Sequence, residues 1–186
     1  MGSFIIPGHN YTVREQTVVK ILQDYQSNTL IKTFLNIGFH NWEDPRRHWW
    51  IKICKENNID WNIMEIYQPN VDDAIAKGCP SNKIFKGDIA DTNSYGDYDC
   101  ILFWHGPEHL PKSKFLSVLP EIEKKANNLL IFGMPLGHEP QGEAYGNPFE
   151  KHESDWFEAD WQKLGYKTIP IFDHQQYPHI TAYKQH

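Results

Sequence analysis

Covalent and metallic staples are scarce in this sequence: 186 residues hold three cysteines, Cys54, Cys79 and Cys100, widely spaced and with no C-x-x-C pair. That pattern excludes a disulfide framework and a cysteine zinc site, and reduced thiols fit a cytoplasmic setting. Basic charge is also in deficit, with 18 Lys and Arg against 24 Asp and Glu and a net charge of −6. A general nucleic-acid binder needs a basic footprint, so no nucleic-acid partner is expected. The basic pairs that stand out are Arg46-Arg47 and Lys124-Lys125. Long hydrophobic runs are missing too. A stretch such as Asn128 to Met134 is too short to span a bilayer, so no membrane partner is expected. No basic segment leads into an apolar one near the N-terminus, which argues against a signal peptide. Met1-Gly2 opens as a myristoylation site does, but Ile6 stands where that pattern has Ser or Thr. No internal repeat or low-complexity linker is visible.

What is present suits one domain, 1–186, with an N-terminal helical segment (1–29) and a core (30–186). Apolar residues make up 40% of the chain and aromatic residues 14%, enough to bury a core without staples. Val13, Val18, Ile21, Leu22 and Tyr25 recur at helical spacing over residues 12–26. Thr33–Gly38 (TFLNIG) then reads as a buried strand. Pro45 fits the first turn of a helix running through Trp49, Trp50, Ile53 and Cys54. Strands are predicted at Trp61–Ile66, Lys83–Ile89, Asp99–His105 and Asn128–Pro135, with helices at about Val71–Lys77 and over 111–126. An irregular stretch follows to about Glu153. A helix at Asp155–Leu164, with Ser154 as its N-cap and Gly165 as its stop, leads to last strands near Lys167–Phe172 and Ile180–Lys184. Successive β-then-α units with apolar strands imply a parallel sheet covered on both faces. The fold class is therefore α/β: a Rossmann-like three-layer sandwich, whose mostly parallel seven-stranded sheet carries an antiparallel C-terminal strand.

Ligands of such sheets bind at the carboxyl ends of the strands. Gly38 ends the first strand and lets backbone approach a ligand. Glu65, at the end of the second, can accept both hydroxyls of a ribose. Asp88, after the third, can accept the exocyclic amine of an adenine. Ile66 and Ile89 would flank the nucleoside, and Trp104-His105 end the fourth strand. The absence of G-x-G-x-x-G after the first strand argues against a nicotinamide dinucleotide.

These segments carry a resemblance. FLNIGFH (Phe34–His40), NIMEIYQPNVDDA, KGDIAD and YDCILFWHGPEHLPK look like successive motifs of the class I S-adenosylmethionine-dependent methyltransferases. The tail MPLGHEPQGEAYGNPFEKHESDW, followed by LGY, resembles that of a group of bacterial-type methyltransferase-like proteins. Together the likeness covers roughly residues 30–184. It implies S-adenosylmethionine as cofactor, held by Gly38, His40, Glu65, Ile66, Asp88, Ile89 and Trp104, and methyl transfer to a small-molecule acceptor such as a saccharide or another metabolite. Two positions depart from the pattern: Asn36 stands where an acid is usual, and His40 where a second glycine is usual. They motivate the alternative of a catalytically inactive methyltransferase-like binding or assembly module. Trp42, in the same turn, could stack on the cofactor or plug its place.

Methyl transfer from a sulfonium asks the protein for alignment, desolvation and sometimes a base. His105 is the candidate catalytic base; an orienting or capping histidine is the other reading. Glu108 and His109, one turn on, are candidate acceptor contacts or a structural turn. Gln141, Tyr145, Asn147 and His152 sit in the loop 136–154, placed as acceptor-binding lids are, although Gly146-Asn147-Pro148 is also ordinary turn chemistry. His105 and His109 have the i, i+4 spacing of a metal pair, but Gly106-Pro107 interrupts a helix there, and a third ligand from His138, Glu139 or His152 would be needed. The sequence reading accordingly assigns no metal. Trp49, Trp50, Trp156 and Trp161 are read as packing residues.

Overall fold

A computed structural model of the chain describes residues 4–8, 11–26, 30–172 and 177–186. The Met1-Gly2 pair and residues 27–29 of the N-terminal segment lie outside them. Helix α1 (Val13–Gln26) begins at a reciprocal cap. The Thr12 hydroxyl accepts from the Glu15 N–H at 3.3 Å, and the Glu15 carboxylate accepts from the Thr12 N–H at 2.7 Å. Next come β1 (Thr33–Ile37), a 3-10 turn at Pro45–His48 and α2 (Trp49–Glu56). Then follow β2 (Asp60–Glu65), α3 (Gln68–Ala76), β3 (Ile84–Lys86) and β4 (Tyr98–Trp104). A short turn, Pro107–His109, precedes α4 (Lys112–Lys125) and β5 (Ala126–Pro135). The last elements are α5 (Glu158–Lys163), β6 (Lys167–Ile171) and β7 (His179–Gln185).

The strands form one seven-stranded sheet in the order β3-β2-β1-β4-β5-β7-β6. The pairs within β3-β2-β1-β4-β5 are parallel, and β7 runs antiparallel to both of its neighbours. Successive side chains of a strand point to opposite faces, and here both faces are buried. Phe34, Cys100, Leu102, Leu129 and Ile131 join α1, α2 and α3 in one apolar layer. Leu35, Ile37, Ile101, Phe103, Leu130 and Phe132 join α4 and α5 in the other. Trp49 and Trp50 pack in the first layer, Trp156 and Trp161 in the second, as packing residues should. The three-layer α/β sandwich expected from the sequence is thus what forms.

Local differences have physical reasons. The third strand stops at Lys86 rather than Ile89. Gly87 packs so closely on Met64 that a side chain there would begin 2.5 Å from its sulfur, and beyond it Asp88 accepts from the Ala90 N–H (2.8 Å) in a loop. The fifth helix starts at Glu158, because Asp160 reaches back to the Phe157 N–H at 3.0 Å. Ser154 is not its cap. Its hydroxyl donates to the Pro107 carbonyl (3.2 Å) and accepts from the Trp156 indole (3.0 Å), fastening the loop to the turn after β4. α3 begins at Gln68, three residues before Val71, with Pro69 in its first turn.

Candidate functional site

The strand order reverses between β1 and β4. The chain leaving β1 enters α2 on one face, and the chain leaving β4 enters α4 on the other. A crevice must open where they part. It does so as a cavity of about 650 Å³ at the carboxyl ends of these strands.

Gly38 lines this cavity with φ +82, a conformation that side chains strain to adopt, and nothing stands closer than 4.0 Å to where a Cβ would sit. Its carbonyl accepts from the Asn36 side-chain amide at 2.8 Å. An ionised acid at position 36 has no hydrogen to give, so the departure from the family pattern has a structural use. Glu65 is buried, and its two carboxylate oxygens accept from the backbone N–H groups of Phe39 (2.6 Å) and Tyr67 (2.8 Å). Burial outweighs these bonds and pushes its pKa up to about 7, with Glu150 adding to the rise. Ile66, Asp88, Ile89 and Trp104 complete this end of the wall. The Trp104 ring covers Gly133, where a Cβ would meet it at 2.2 Å.

His40 also lines the cavity, and its ring stacks on Tyr145 with centroids 5.0 Å apart. Burial, then the charge of Arg47, lowers its pKa below the ordinary 6.5. Trp42 neither lines nor plugs the site. It stacks on His48 (4.7 Å) and leans on Phe39.

At the other end, His105 takes φ +51, uncommon for a residue with a Cβ, at the first position beyond β4. Gly106 follows it, close under Phe103: a side chain there would start 1.9 Å from that ring. His109, Gln141, Tyr145, Asn147 and His152 share the same cavity. Glu108 does not. It is 2% exposed, lies outside the cavity wall, and brings a carboxylate oxygen within 3.3 Å of His105 Nδ1. As a direct acceptor contact Glu108 is therefore corrected; it sits behind the histidines. The i, i+4 pair His105 and His109, to which the sequence assigned no metal, does not group as ligands. Among the described residues, the ligating atoms that cluster belong to Glu108, His109 and His152.

The loop 136–154 reaches both ends. Gly146 accepts from the Tyr67 hydroxyl at 3.0 Å beside the Glu65 end. The Glu153 and Ser154 N–H groups donate to the Glu108 carbonyl (2.7 and 3.1 Å) beside the His105 end.

Sequence reasoning missed a further wall. Thr12, Arg14 and Glu15 of α1, Arg46 and Arg47 of the 3-10 turn, Lys114 and Tyr177 also line the cavity. Arg14 is buried; its Nη2 donates to the Tyr177 carbonyl (2.6 Å), its guanidinium covers the Tyr177 ring (4.7 Å), and its Nε has no partner. The T-x-x-E cap was legible and fixes where α1 begins, but it does not show which face of the helix turns toward the cavity. The thiols take no part: Cys54 and Cys100 are buried with pKa values pushed up by burial, as is Cys79, raised to about 11.

This sheet, with its cavity at the β1/β4 switch point, is the class I S-adenosylmethionine-dependent methyltransferase fold. No family model and no curated protein matches the sequence. Solved structures do match the fold. A SAM-dependent methyltransferase from Archaeoglobus fulgidus superposes with a TM-score of 0.59 at 14% identity, over 92% of each chain. Magnesium protoporphyrin IX methyltransferase from Synechocystis PCC 6803, with bound SAH, gives 0.57 at 16% identity over 91% of this chain and 80% of its own. The N-methyltransferase NodS from Bradyrhizobium japonicum gives 0.57 at 10%, over 91% and 94%. Among the described residues, no helix is long and apolar enough to cross a membrane.

Proposed function

We propose that this protein moves a methyl group from S-adenosylmethionine to a small-molecule acceptor, a saccharide or similar hydroxylated metabolite. The observation that carries the reading is the convergence of Gly38, Glu65 and Asp88 with His105 on one open cavity. The residues fit such a donor. Gly38 leaves its approach clear, Glu65 presents a buried carboxylate for ribose hydroxyls, Asp88 one for an adenine amine, and Ile66 and Ile89 apolar surface for the nucleoside. The volume falls within the range of about 300–1,000 Å³ usual for small-molecule sites. Arg14 adds a positive charge for a carboxylate at the far end.

When bound, the donor supplies an activated methyl group, and the chemistry is the donor's own. The protein's share is placement and proton handling. The loop 136–154 forms part of the cavity wall through Gln141, Tyr145, Asn147 and His152 and would shield a bound donor from water. In this reading His105, in the wall with Glu108 3.3 Å from its Nδ1, takes the acceptor's proton, while Gln141, Tyr145, Asn147, His109 and His152 shape the acceptor's end.

Calorimetric titration with S-adenosylmethionine and S-adenosylhomocysteine tests the donor site; saturable one-to-one binding is expected. No heat at millimolar ligand would instead favour an inactive binding or assembly module. Once an acceptor is found, His105→Asn should lower turnover by about 10²–10⁴-fold while donor affinity stays within a few-fold.

A further inference from the structure

The turn Pro107–His109 and the loop 136–154 bring together three side chains whose close grouping the acceptor contacts above do not require. The ligating atoms of Glu108, His109 and His152 lie within 4.8 Å of one another. Glu108 is 2% exposed, and neither of its carboxylate oxygens has a hydrogen-bond partner. The His105 ring nitrogen at 3.3 Å is within ion-pair range of one of them without forming an aligned hydrogen bond. A buried carboxylate without a donor is costly unless a cation or a proton compensates it.

The two imidazoles are set in a matching way. His109 Nδ1 faces the Lys151 carbonyl at 3.2 Å, and His152 Nδ1 faces the Glu139 carbonyl. A carbonyl only accepts, so each Nδ1 carries a hydrogen, and in the neutral ring Nε2 is the nitrogen left with a lone pair. This is the tautomer and backbone anchoring that a metal-ligating histidine shows. The rings meet edge to face, 5.0 Å apart. Backbone bonds from Glu153 and Ser154 to the Glu108 carbonyl hold the loop and the turn in register, so the three groups are preorganised.

We propose that Glu108, His109 and His152 bind a divalent transition-metal cation whose remaining coordination positions open toward the cavity. Two imidazoles and one carboxylate suit Mn²⁺, Fe²⁺, Co²⁺ or Zn²⁺ better than Ca²⁺ or Mg²⁺, which prefer oxygen donors throughout. His109 and His152 line the cavity while Glu108 lies beneath them, so the open positions face the space where His105 stands. Resting on the methyl-transfer reading, the cation would receive an oxygen of the acceptor, which narrows that acceptor to one with a hydroxyl or carboxylate able to chelate.

The test is titration of untagged, chelator-stripped protein with Co²⁺, Mn²⁺ and Zn²⁺ by calorimetry, with Co²⁺ visible absorption as a second readout, in the absence of any donor. One equivalent should bind, and Glu108→Gln or His152→Ala should each weaken it by about 100-fold or more, as losing a ligand does at least as severely as losing its outer-shell support. His138→Ala, an exposed histidine paired with Asp155 in the same loop, should change nothing. If the buried Glu108→Gln fails to fold by circular dichroism, His152→Ala decides alone. No binding, or binding that His152→Ala leaves intact, overturns the proposal. S-adenosylhomocysteine titration of the same samples is independent, so loss of the metal site and loss of the donor site are told apart.

Discussion

Glu65 allows the donor-site reading to be tested through a proton. Its pKa is pushed up to about 7 from 4.5, chiefly by burial. The Tyr67 and Phe39 N–H groups pull it down, and the Glu150 charge on the loop raises it further. With that value, about 1% of molecules carry the carboxylate at pH 5 and about 90% at pH 8. If ribose hydroxyls donate to the charged form, S-adenosylhomocysteine should bind roughly 100-fold more tightly at pH 8 than at pH 5, about 2.7 kcal/mol at 1.36 kcal/mol per unit. Glu65→Gln should bind more weakly at pH 8, by about 1–3 kcal/mol, and lose the pH dependence attributable to this residue. Titration of the ligand itself appears equally in both proteins and cancels in their ratio. His40, whose pKa is lowered, acts below its ordinary 6.5 and is likewise common to both. The sign for folding runs the other way. A carboxyl with a raised pKa gives its full stabilisation below about 4.5 and loses it as pH climbs through 7, a contribution of about 3 kcal/mol at most. Urea unfolding of the ligand-free protein at pH 5 and 8 should show this fall in the wild type and not in Glu65→Gln. A wild-type affinity that is flat across pH 5–8, or a Glu65→Gln profile that tracks it, refutes the placement of the ribose at this carboxylate.

Three other substitutions probe the same wall. Asn36→Asp, which installs the acid common in the family, should destabilise the fold by about 1–3 kcal/mol, more as pH rises, because it removes the donor to the Gly38 carbonyl and sets two acceptors together; a neutral result by urea unfolding would count against that bond. Gly133→Ala drives a methyl to 2.2 Å from the Trp104 ring, and overpacking of this kind costs about 1–3 kcal/mol. Its melting temperature and its affinity for S-adenosylhomocysteine should fall together, since Trp104 lines the cavity. Tyr145 is 77% exposed, so Tyr145→Ala should leave stability within about 0.5 kcal/mol. With the His40 stack gone, ligand dissociation followed by stopped-flow should quicken several-fold.

The sheet was legible because apolar runs such as Asn128–Met134 report burial on both faces, and parallel strands linked by helices leave few topologies. Residues at strand ends were legible for the same reason: once β1, β2 and β4 are placed, Gly38, Glu65 and His105 follow. What the pattern hid was contact between distant segments. Arg14 reaches the cavity because Tyr177, 163 positions later, accepts from it. Ser154 looked like a helix cap because Ser before Asp is good capping chemistry, yet tertiary bonds to Pro107 and Trp156 took it. Glu108 and His109 are neighbours in sequence, but the turn buries one and turns the other to the cavity. No periodicity marks that split, because a three-residue turn has none.

The departures at Asn36 and His40 bear on whether the glycine turn still admits a nucleoside. A second glycine is needed where a side chain would otherwise project into the ligand's space. Here the bulk goes elsewhere. The His40 ring lies against Tyr145 of the covering loop, Trp42 against His48, and Phe39 gives its N–H to Glu65 and its carbonyl to Asn70. Gly38 keeps a left-handed turn at the mouth of the cavity, and the Asn36 amide holds its carbonyl in place. The rigidity that a tight glycine pair gives by conformation is supplied by side-chain contacts, one of which, His40 on Tyr145, reaches a loop 100 residues away. The loop thereby takes part in shaping this end of the cavity, and Tyr145→Ala, which removes that stack, should loosen a bound donor before it touches the fold.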